Sequence, residues 1–347
     1  MVDLLVSIVV ATLNEEEYIE RCMSSLLSQR NVPGEYEVLV LDGGSEDRTL
    51  ALLQDIAERD HRVRLLKNPD RIQVHAYNLG LQEARGQYIA VVGAHAEYDC
   101  DYVSTCLHLL NTTDATNVGG VPTHIGKGPV GQAIAWAMSS PLGVGGTRNR
   151  YAKRDEFTDG SFGFFCRKSA LEVLGGFDEK YVTDEDLELN YRIRRAGGKV
   201  LASPRIRLKY FVRKSLRALW QQKFRYGYGR AQTHRNCAGS FRIAHAPPPL
   251  LIAGTLVSLA WLLSKPGWPA LIVPLAYSLF ALAGGLISFC RTRSFKVAIL
   301  APCVLATMHF AGGLGWWFGV RRFGFPNVTQ SGPGGAGLQK GAAKARP

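Results

Sequence analysis

The stretch LLVSIVVATLNEEE, residues 4–17, decides how the first half of the chain is read. Leu4 to Thr12 is an unbroken apolar run rich in β-branched residues, the pattern of a strand buried on both faces. It passes directly into Asn14-Glu15-Glu16-Glu17, so the apolar run is too short for a signal peptide. The alternation then repeats. Residues 15–29 place Tyr18, Ile19, Cys22 and Leu26 on one helical face, YEVLVLD (36–42) reads as a second strand, DRTLALLQDIAER (47–59) as a helix, and VRLLKN (63–68) as a third strand. A helix over 74–84, a strand over 88–92 and a helix near 102–110 follow. Repeated β-α units imply an α/β fold of Rossmann-like type, a mostly parallel sheet covered by helices. Ligands of such sheets bind beyond the carboxyl ends of the strands. Thr12, Asn14, Asp42, Asn68 and His95 fall there.

Charge divides the chain in two. All 29 Asp and Glu lie at or before Glu188, against 17 Lys and Arg, whereas the remainder holds 24 bases and no acid. The basic part is interleaved with the apolar runs Pro249–Leu263, Trp268–Cys290 and Val297–Val320, which points away from nucleic acid and toward a membrane. The last two runs, of 23 and 24 residues, are long enough to cross a bilayer at about 20 residues per span. The first is short and could be re-entrant. Trp261, Trp268, Trp316 and Trp317 lie near the run ends, as interfacial aromatics do. Between head and runs, Arg205–Arg242 carries Leu216, Leu219, Trp220 and Phe224 at helical spacing among bases, as in a helix lying on an anionic lipid surface. The expected division is a 1–204 head, a 205–247 amphipathic interface, two or three transmembrane helices within 248–322, and a disordered tail over 323–347. Loop charges satisfy no single topology completely. The seven cysteines lack metal or disulfide spacing and suit a reducing, cytoplasmic head.

Two motifs carry chemistry. Asp42 opens DGGSEDRT (42–49), where a strand-end carboxylate can meet a nucleobase and the glycines let it approach; helix capping accounts for Asp47 but not for Asp42. In TDEDLELNYRIRRAG (183–197), Asp184, Glu185 and Asp186 begin a helix that ends in Arg192, Arg194 and Arg195. Dipole complementarity explains one or two acids at a helix start. Three adjacent ones repel, which suggests that one is needed to take a proton. Residues 126–160, Gly-rich with Trp136 in a small-residue helix, read as a substrate-facing loop region.

Together, SIVVATLNEEEYIERCMSSLLSQ (7–29), VLVLDGGSEDRT (38–49), NPDRIQVHAYNLGLQEARGQYIAVV (68–92), DGSFGFFCRKSALEVLGGFDE (159–179) and TDEDLELNYRIRRAGG (183–198) resemble the family 2 glycosyltransferases of GT-A fold. AHAEYDCDYV (94–103), QQKFRYGYGRA (221–231) and the trailing apolar helices resemble its succinoglycan-type exopolysaccharide subgroup. The resemblance implies inverting transfer of one sugar from a nucleoside-diphosphate sugar, a UDP-sugar first among them, to a polyprenyl-diphosphate-linked saccharide at the cell's inner membrane. It places Thr12, Asn14, Glu15, Asp42, Asn68, Arg71, Asn78, Gly93 and His95 on the donor side. Asp186, preceded by Glu185, becomes the general base. Asp159, Gly160, Ser161 and Phe162, with Gln222, Arg225 and Tyr226, serve the acceptor and the diphosphate; Tyr226, where processive synthases carry Trp, favours single transfer.

One position departs. Where the subgroup reads Asp-Ala-His, this chain reads Gly93-Ala94-His95. His95 is left as the candidate metal ligand, and imidazole suits Mn²⁺ better than Mg²⁺. Glu97 and Asp99 are within reach by sequence, and a metal-free site with the diphosphate held by Arg71, Arg148 or Arg150 is the alternative. Two further readings stay open: transfer directly onto polyprenyl phosphate, and a non-catalytic sugar-nucleotide-binding scaffold.

Overall fold

The computed structural model describes residues 4–327 except Pro266, with the side chain of Arg148 also outside the described set. Its strands are β1 (Leu4–Thr12), β2 (Glu35–Asp42), β3 (Val63–Lys67), β4 (Tyr88–Gly93), β5 (Ala96–Tyr98), β6 (Asn117–Gly120), β7 (Thr123–Ile125), β8 (Glu156–Phe157), β9 (Phe162–Arg167), β10 (Val200–Ser203) and β11 (Leu208–Phe211). The helices are α1 (Ile19–Leu27), α2 (Thr49–Arg59), α3 (Gln73–Glu83), α4 (Tyr102–Thr112), α5 (Gly128–Met138), α6 (Pro141–Val144), α7 (Lys168–Leu174), α8 (Glu185–Arg195), α9 (Leu216–Asn236), α10 (Pro247–Ser264), α11 (Ile272–Thr292) and α12 (Phe295–Phe323).

The main sheet runs β3-β2-β1-β4-β9-β6-β10-β8. β1 pairs parallel with both β2 and β4, whereas β9 runs antiparallel to β4 and β6, and β8 antiparallel to β10. The sheet is therefore mostly parallel, as expected, with two reversed strands. Burial on both faces explains the unbroken apolar run of β1: Val6, Ile8 and Val10 pack with α1 and α4, and Val9 packs with α3 on the other side. A small second sheet, β5-β11-β7, sits beyond the end of β4.

Four features differ from the expectations. β11 lies within the 205–247 segment but pairs with β5 and β7, so the head extends past residue 204 to Phe211. The small-residue helix expected around Trp136 forms, as α5, but instead of facing the cavity its Ala133, Ile134, Ala137 and Met138 pack against Val304, Leu305 and Met308 of α12. The expected interfacial helix forms, as α9, but most of its length packs on α12 rather than lying free. Exposed bases remain just before it, at Arg213 and Lys214, and along it at Arg217, Arg225 and Arg235, with exposed Trp220 in its second turn. Finally, residues 324–327 are not a loose tail: Asn327 N donates to the His234 carbonyl at 2.9 Å, and the Asn327 carbonyl accepts from Gly239 N at 3.1 Å. The rest of the expected tail, from residue 328, lies outside the described residues.

The α9–α12 contact has a sequence cause that helical periodicity hides. A Cβ added at Gly227 would overlap the Gly312 carbonyl, and one at Gly315 the Phe224 carbonyl. Bare glycine thus lets the two backbones touch, as in close helix pairs generally. Among the described residues, three helical segments are long and apolar enough to cross a membrane: Pro247–Ser264, Trp268–Thr292 and Phe295–Phe323.

This packing separates two neighbouring glycines. An added Cβ at Gly312 comes no closer than 4.0 Å to the Lys223 carbonyl oxygen. Gly315→Ala is therefore expected to destabilise the protein by about 1–3 kcal/mol or more through overpacking, and Gly312→Ala to be nearly neutral. Thermal unfolding in detergent checks this; equal effects at the two positions would contradict the packing described.

Candidate active site

The strand-end loops are laced together. Asp42 Oδ2 accepts from Gly44 N (2.9 Å) and Ser45 N (3.0 Å), and its Oδ1 from Ser45 Oγ (2.5 Å) and Thr12 Oγ1 (3.4 Å). Both carboxylate oxygens are used by the turn, so Asp42 has the local structural role that capping did not supply from sequence. Asn14, at φ 56°, accepts from Glu46 N through Oδ1, and Glu15 N donates to Thr49 Oγ1. Asn68 Nδ2 donates to the Ile72 carbonyl, and Arg71 pairs with exposed Glu46. Asn78 lies elsewhere, its amide clamping Phe177 N and the Phe177 carbonyl at 2.9 Å each. Of the donor-side residues, Gly93 and His95 line the large cavity of the molecule, and Glu15 touches it through His95.

That cavity, of about 1690 Å³, gathers residues from distant parts of the chain. Gly93 and His95 enter from the end of β4. Asp159, Gly160, Ser161 and Phe162 enter from the turn before β9, the acids from the start of α8, and Gln222, Arg225, Tyr226 and Arg230 from α9. The sequence's acceptor-side set is thus brought together around its acidic motif.

The three adjacent acids are in three different situations. Asp184, at φ 65°, is buried and gripped by Arg230, whose Nε donates at 2.5 Å and Nη2 at 3.3 Å. Glu185 and Asp186 have no ion-pair partner among the described residues. Burial first, and then the neighbouring Asp186 carboxylate, push Glu185 up to about 8. Asp186 opens onto the cavity lumen while protein surrounds it. Burial and the Asp184 charge raise it above the usual carboxylate range, opposed by the Leu187 N–H, Arg230 and Arg150.

Opposite these acids stand bases without acidic partners among the described residues: Arg150, Arg213 and Arg225. Arg150 lies over the Phe162 ring at 5.0 Å. The positive field is felt by Lys223, whose ammonium is pushed down to about 7 by burial and by Arg150 and Arg230. Arg213 and Arg230 escaped the sequence reading because they sit in the basic stretch taken as facing lipid. Tyr210 escaped it because it lies in β11, a strand inside that stretch. The side chain of Arg148, considered as a diphosphate ligand, is outside the described residues.

His95 is held from both sides, Nδ1 by Glu15 Oε1 and Nε2 by the Tyr210 hydroxyl, each at 3.1 Å. Burial alone would lower its basicity; the Tyr210 oxygen and the Glu15 carboxylate more than offset this and raise it to about 9. The ring is anchored by side chains, not by the backbone as a strand-end histidine would be. Glu97 and Asp99 turn away to Lys209 (3.0 Å) and Arg207 (3.4 Å). A divalent ion at this position would therefore find His95 and Glu15. Their 3.1 Å contact is a hydrogen bond, and a metal ion held there would displace its proton. Nitrogen in the set favours a transition ion over Mg²⁺.

Comparison with known proteins agrees with this fold. The model of Glycosyl transferase family 2 matches residues 7–175, and that of Glycosyl transferase family group 2 matches residues 160–318. The chain is 30% identical to the succinoglycan biosynthesis protein ExoA of Rhizobium meliloti over 89% of its own length and 93% of that protein's. It is 28% identical, over 64% of its length and 71% of the other's, to a dolichyl N-acetylglucosaminyl phosphate glucuronosyltransferase of Methanococcus voltae. Among solved structures, a mannosyltransferase of Pyrobaculum calidifontis, in complex with GDP-Man and Mn²⁺, shares the fold at 19% identity and TM-score 0.59, covering 88% of this chain and 86% of that one. The fold is that of the GT-A transferases, and the protein is an enzyme of polysaccharide or glycolipid biosynthesis. The chain belongs to glycosyl transferase family 2.

Gly93 can be tested directly. Its φ is not in the left-handed region, and an added Cβ meets nothing within 4 Å. Glycine is thus not required by the backbone there. Gly93→Asp is expected to leave stability within about 0.5 kcal/mol and to tighten Mn²⁺ binding, read by metal titration. A clear loss of stability, or unchanged Mn²⁺ affinity, would contradict the geometry assigned to this corner.

Proposed function

We propose that the protein moves one sugar, with inversion, from a UDP-sugar to a hydroxyl of a polyprenyl-diphosphate-linked saccharide, at the cytoplasmic face of the cell membrane. The observation that carries this reading is the Asp186 carboxyl, without an ion-pair partner among the described residues, in a cavity that also holds Arg150, Arg213 and Arg225. A carboxylate with a raised pKa is a better base near neutral pH than an ordinary one. Asp186 takes the proton of the acceptor hydroxyl as its oxygen attacks the anomeric carbon. The nucleoside diphosphate then leaves from the opposite face of the sugar, and Arg150, Arg213 and Arg225 are the groups available to receive its charge. Phe162 and Tyr226 provide apolar and aromatic surface beside the sugars. A divalent ion held by His95 and Glu15 would supply further positive charge to the diphosphate.

Several observations support the membrane assignment. Three helices have the length and apolarity of membrane spans, and large side chains such as Leu256, Leu279 and Leu286 are exposed along them. The exposed Arg217 and Trp220 in the first turns of α9 suit anionic headgroups, at about 1 kcal/mol per base near such a surface. All seven cysteines are free, in keeping with a cytoplasmic head. Holding the head beside a lipid-borne acceptor makes their encounter effectively intramolecular. The motif YGYG (226–229) supports single transfer by resemblance, and its glycines also have a packing reason, Gly227 against α12 and Gly229 against Thr183.

Transfer onto a phosphate oxygen would need no base, because that acceptor is already ionised. Asp186→Asn therefore separates the two enzyme readings. Transfer should fall at least ~10²-fold while UDP binding is kept, and the acid limb of the pH–rate profile, lying above the ordinary carboxylate range, should disappear. Transfer at near-normal rate would remove Asp186 from the reaction.

A further inference from the structure

Asp159 is held in a way that the reaction above does not explain. Its Oδ1 accepts from Arg242 Nη2 at 2.6 Å and lies 3.5 Å from Arg194 Nη1. Arg194 comes from the last turn of α8. Arg242 comes from the loop that leads into α10, the first of the three apolar helices. One carboxylate thus faces two guanidinium groups and leaves a positive charge over. The Nε of Arg194 is, in addition, buried without any acceptor. All three side chains line the cavity, as does Arg195, which has no acidic partner among the described residues.

An ion pair this exposed, with Arg242 61% and Asp159 34% accessible, holds only weakly. A phosphate or diphosphate carries more charge than one carboxylate and meets guanidinium groups in paired hydrogen bonds. We infer that Arg194 and Arg242 form the binding site for the diphosphate of the lipid-borne acceptor, and that Asp159 occupies that site until the acceptor displaces it. This rests on the acceptor class proposed above.

The placement fits on two counts. Arg194 lies eight residues beyond Asp186 along α8, about 12 Å at 1.5 Å per residue. That spacing leaves room for a saccharide between the anchored anion and the hydroxyl to be deprotonated. Arg242 lies five residues before α10 begins, where a lipid-borne headgroup meets the protein, and the adjacent Ile243 is 89% exposed and able to meet an isoprenoid chain. The donor's diphosphate belongs to other arginines, so the two anions are told apart by position.

The test uses the full chain in detergent micelles, with farnesyl diphosphate, UDP and inorganic pyrophosphate as probes. Arg242→Gln is expected to weaken farnesyl diphosphate by about tenfold or more, the scale of a lost charge-assisted hydrogen bond, and to leave UDP within about twofold. Arg242→Lys should lose less, which guards against a folding defect. Asp159→Asn should strengthen farnesyl diphosphate several-fold by removing the competing carboxylate. Pyrophosphate should compete with farnesyl diphosphate, with the same dependence on Arg242. The inference is overturned if Arg242→Gln has no effect, if Asp159→Asn weakens binding, if pyrophosphate does not compete, or if UDP affinity falls in parallel, which would assign these arginines to the donor. Intact, Arg242-dependent binding with no sugar transfer to lipid would sink the proposed reaction and leave the anion site standing.

Discussion

The ion pair between the buried Asp184 carboxylate and the part-buried Arg230 guanidinium is the contact on which the site depends. It joins the start of α8, in the head, to the middle of α9, which is itself fixed to α12 by backbone contact at glycines. Removing one partner of a buried pair leaves a charge without compensation and costs far more than the pair contributes. The pair also sorts the acidic motif. With Arg230 paired to Asp184, neither Glu185 nor Asp186 has an ion-pair partner among the described residues; burial first, and then a neighbouring carboxylate, Asp186 for Glu185 and Asp184 for Asp186, raises each. A helix start that would otherwise be only favourable dipole electrostatics becomes, in the reaction proposed above, a proton acceptor.

The second consequence concerns charge on the scale of the whole chain. The acid-poor C-terminal half and the acidic head meet at the cavity, where Arg213, Arg225, Arg230 and Arg242 from one half face Asp159, Asp184, Glu185 and Asp186 from the other. Substrates with diphosphates are attracted to such a surface, and the carboxylates keep it from being uniformly cationic. The His95–Glu15–Tyr210 cluster crosses the same boundary, since Tyr210 belongs to β11. Gly93 removes a carboxylate from this corner without strain, and the nearest remaining acid is Glu15, on the neighbouring strand's loop.

Much of this was legible in the sequence. Apolar runs such as Leu4–Thr12 and Tyr88–Val92 report burial directly, and the acids at 184–186 mark a helix start that lies on the cavity. Other parts were not legible, for identifiable reasons. Periodicity shows which face of α9 is apolar but not that α12 covers it, because the contact is made by glycines that carry no hydrophobic signal. β11 is four residues long inside a basic stretch, so its pairing with β5 and β7 is a tertiary effect. The side chains of Asp42 and Asn78, whatever they meet in the donor, also tie their own loop and Phe177 in place, which residue type alone does not announce. Residue type indicates what a side chain can bind, and the fold decides what it does bind.

The central claim is that the transferred sugar ends on a saccharide hydroxyl with the acceptor's lipid diphosphate intact. The most direct measurement is mass spectrometry of the lipid-extractable product formed by the purified full chain from UDP-sugars and a short polyprenyl-diphosphate saccharide, with the anomeric configuration of the new linkage assigned by NMR. The account predicts a product heavier by one sugar residue, with both phosphates retained and the anomeric centre inverted. Sugar found on polyprenyl phosphate, retention at the anomeric centre, or a ladder of added sugars would contradict it.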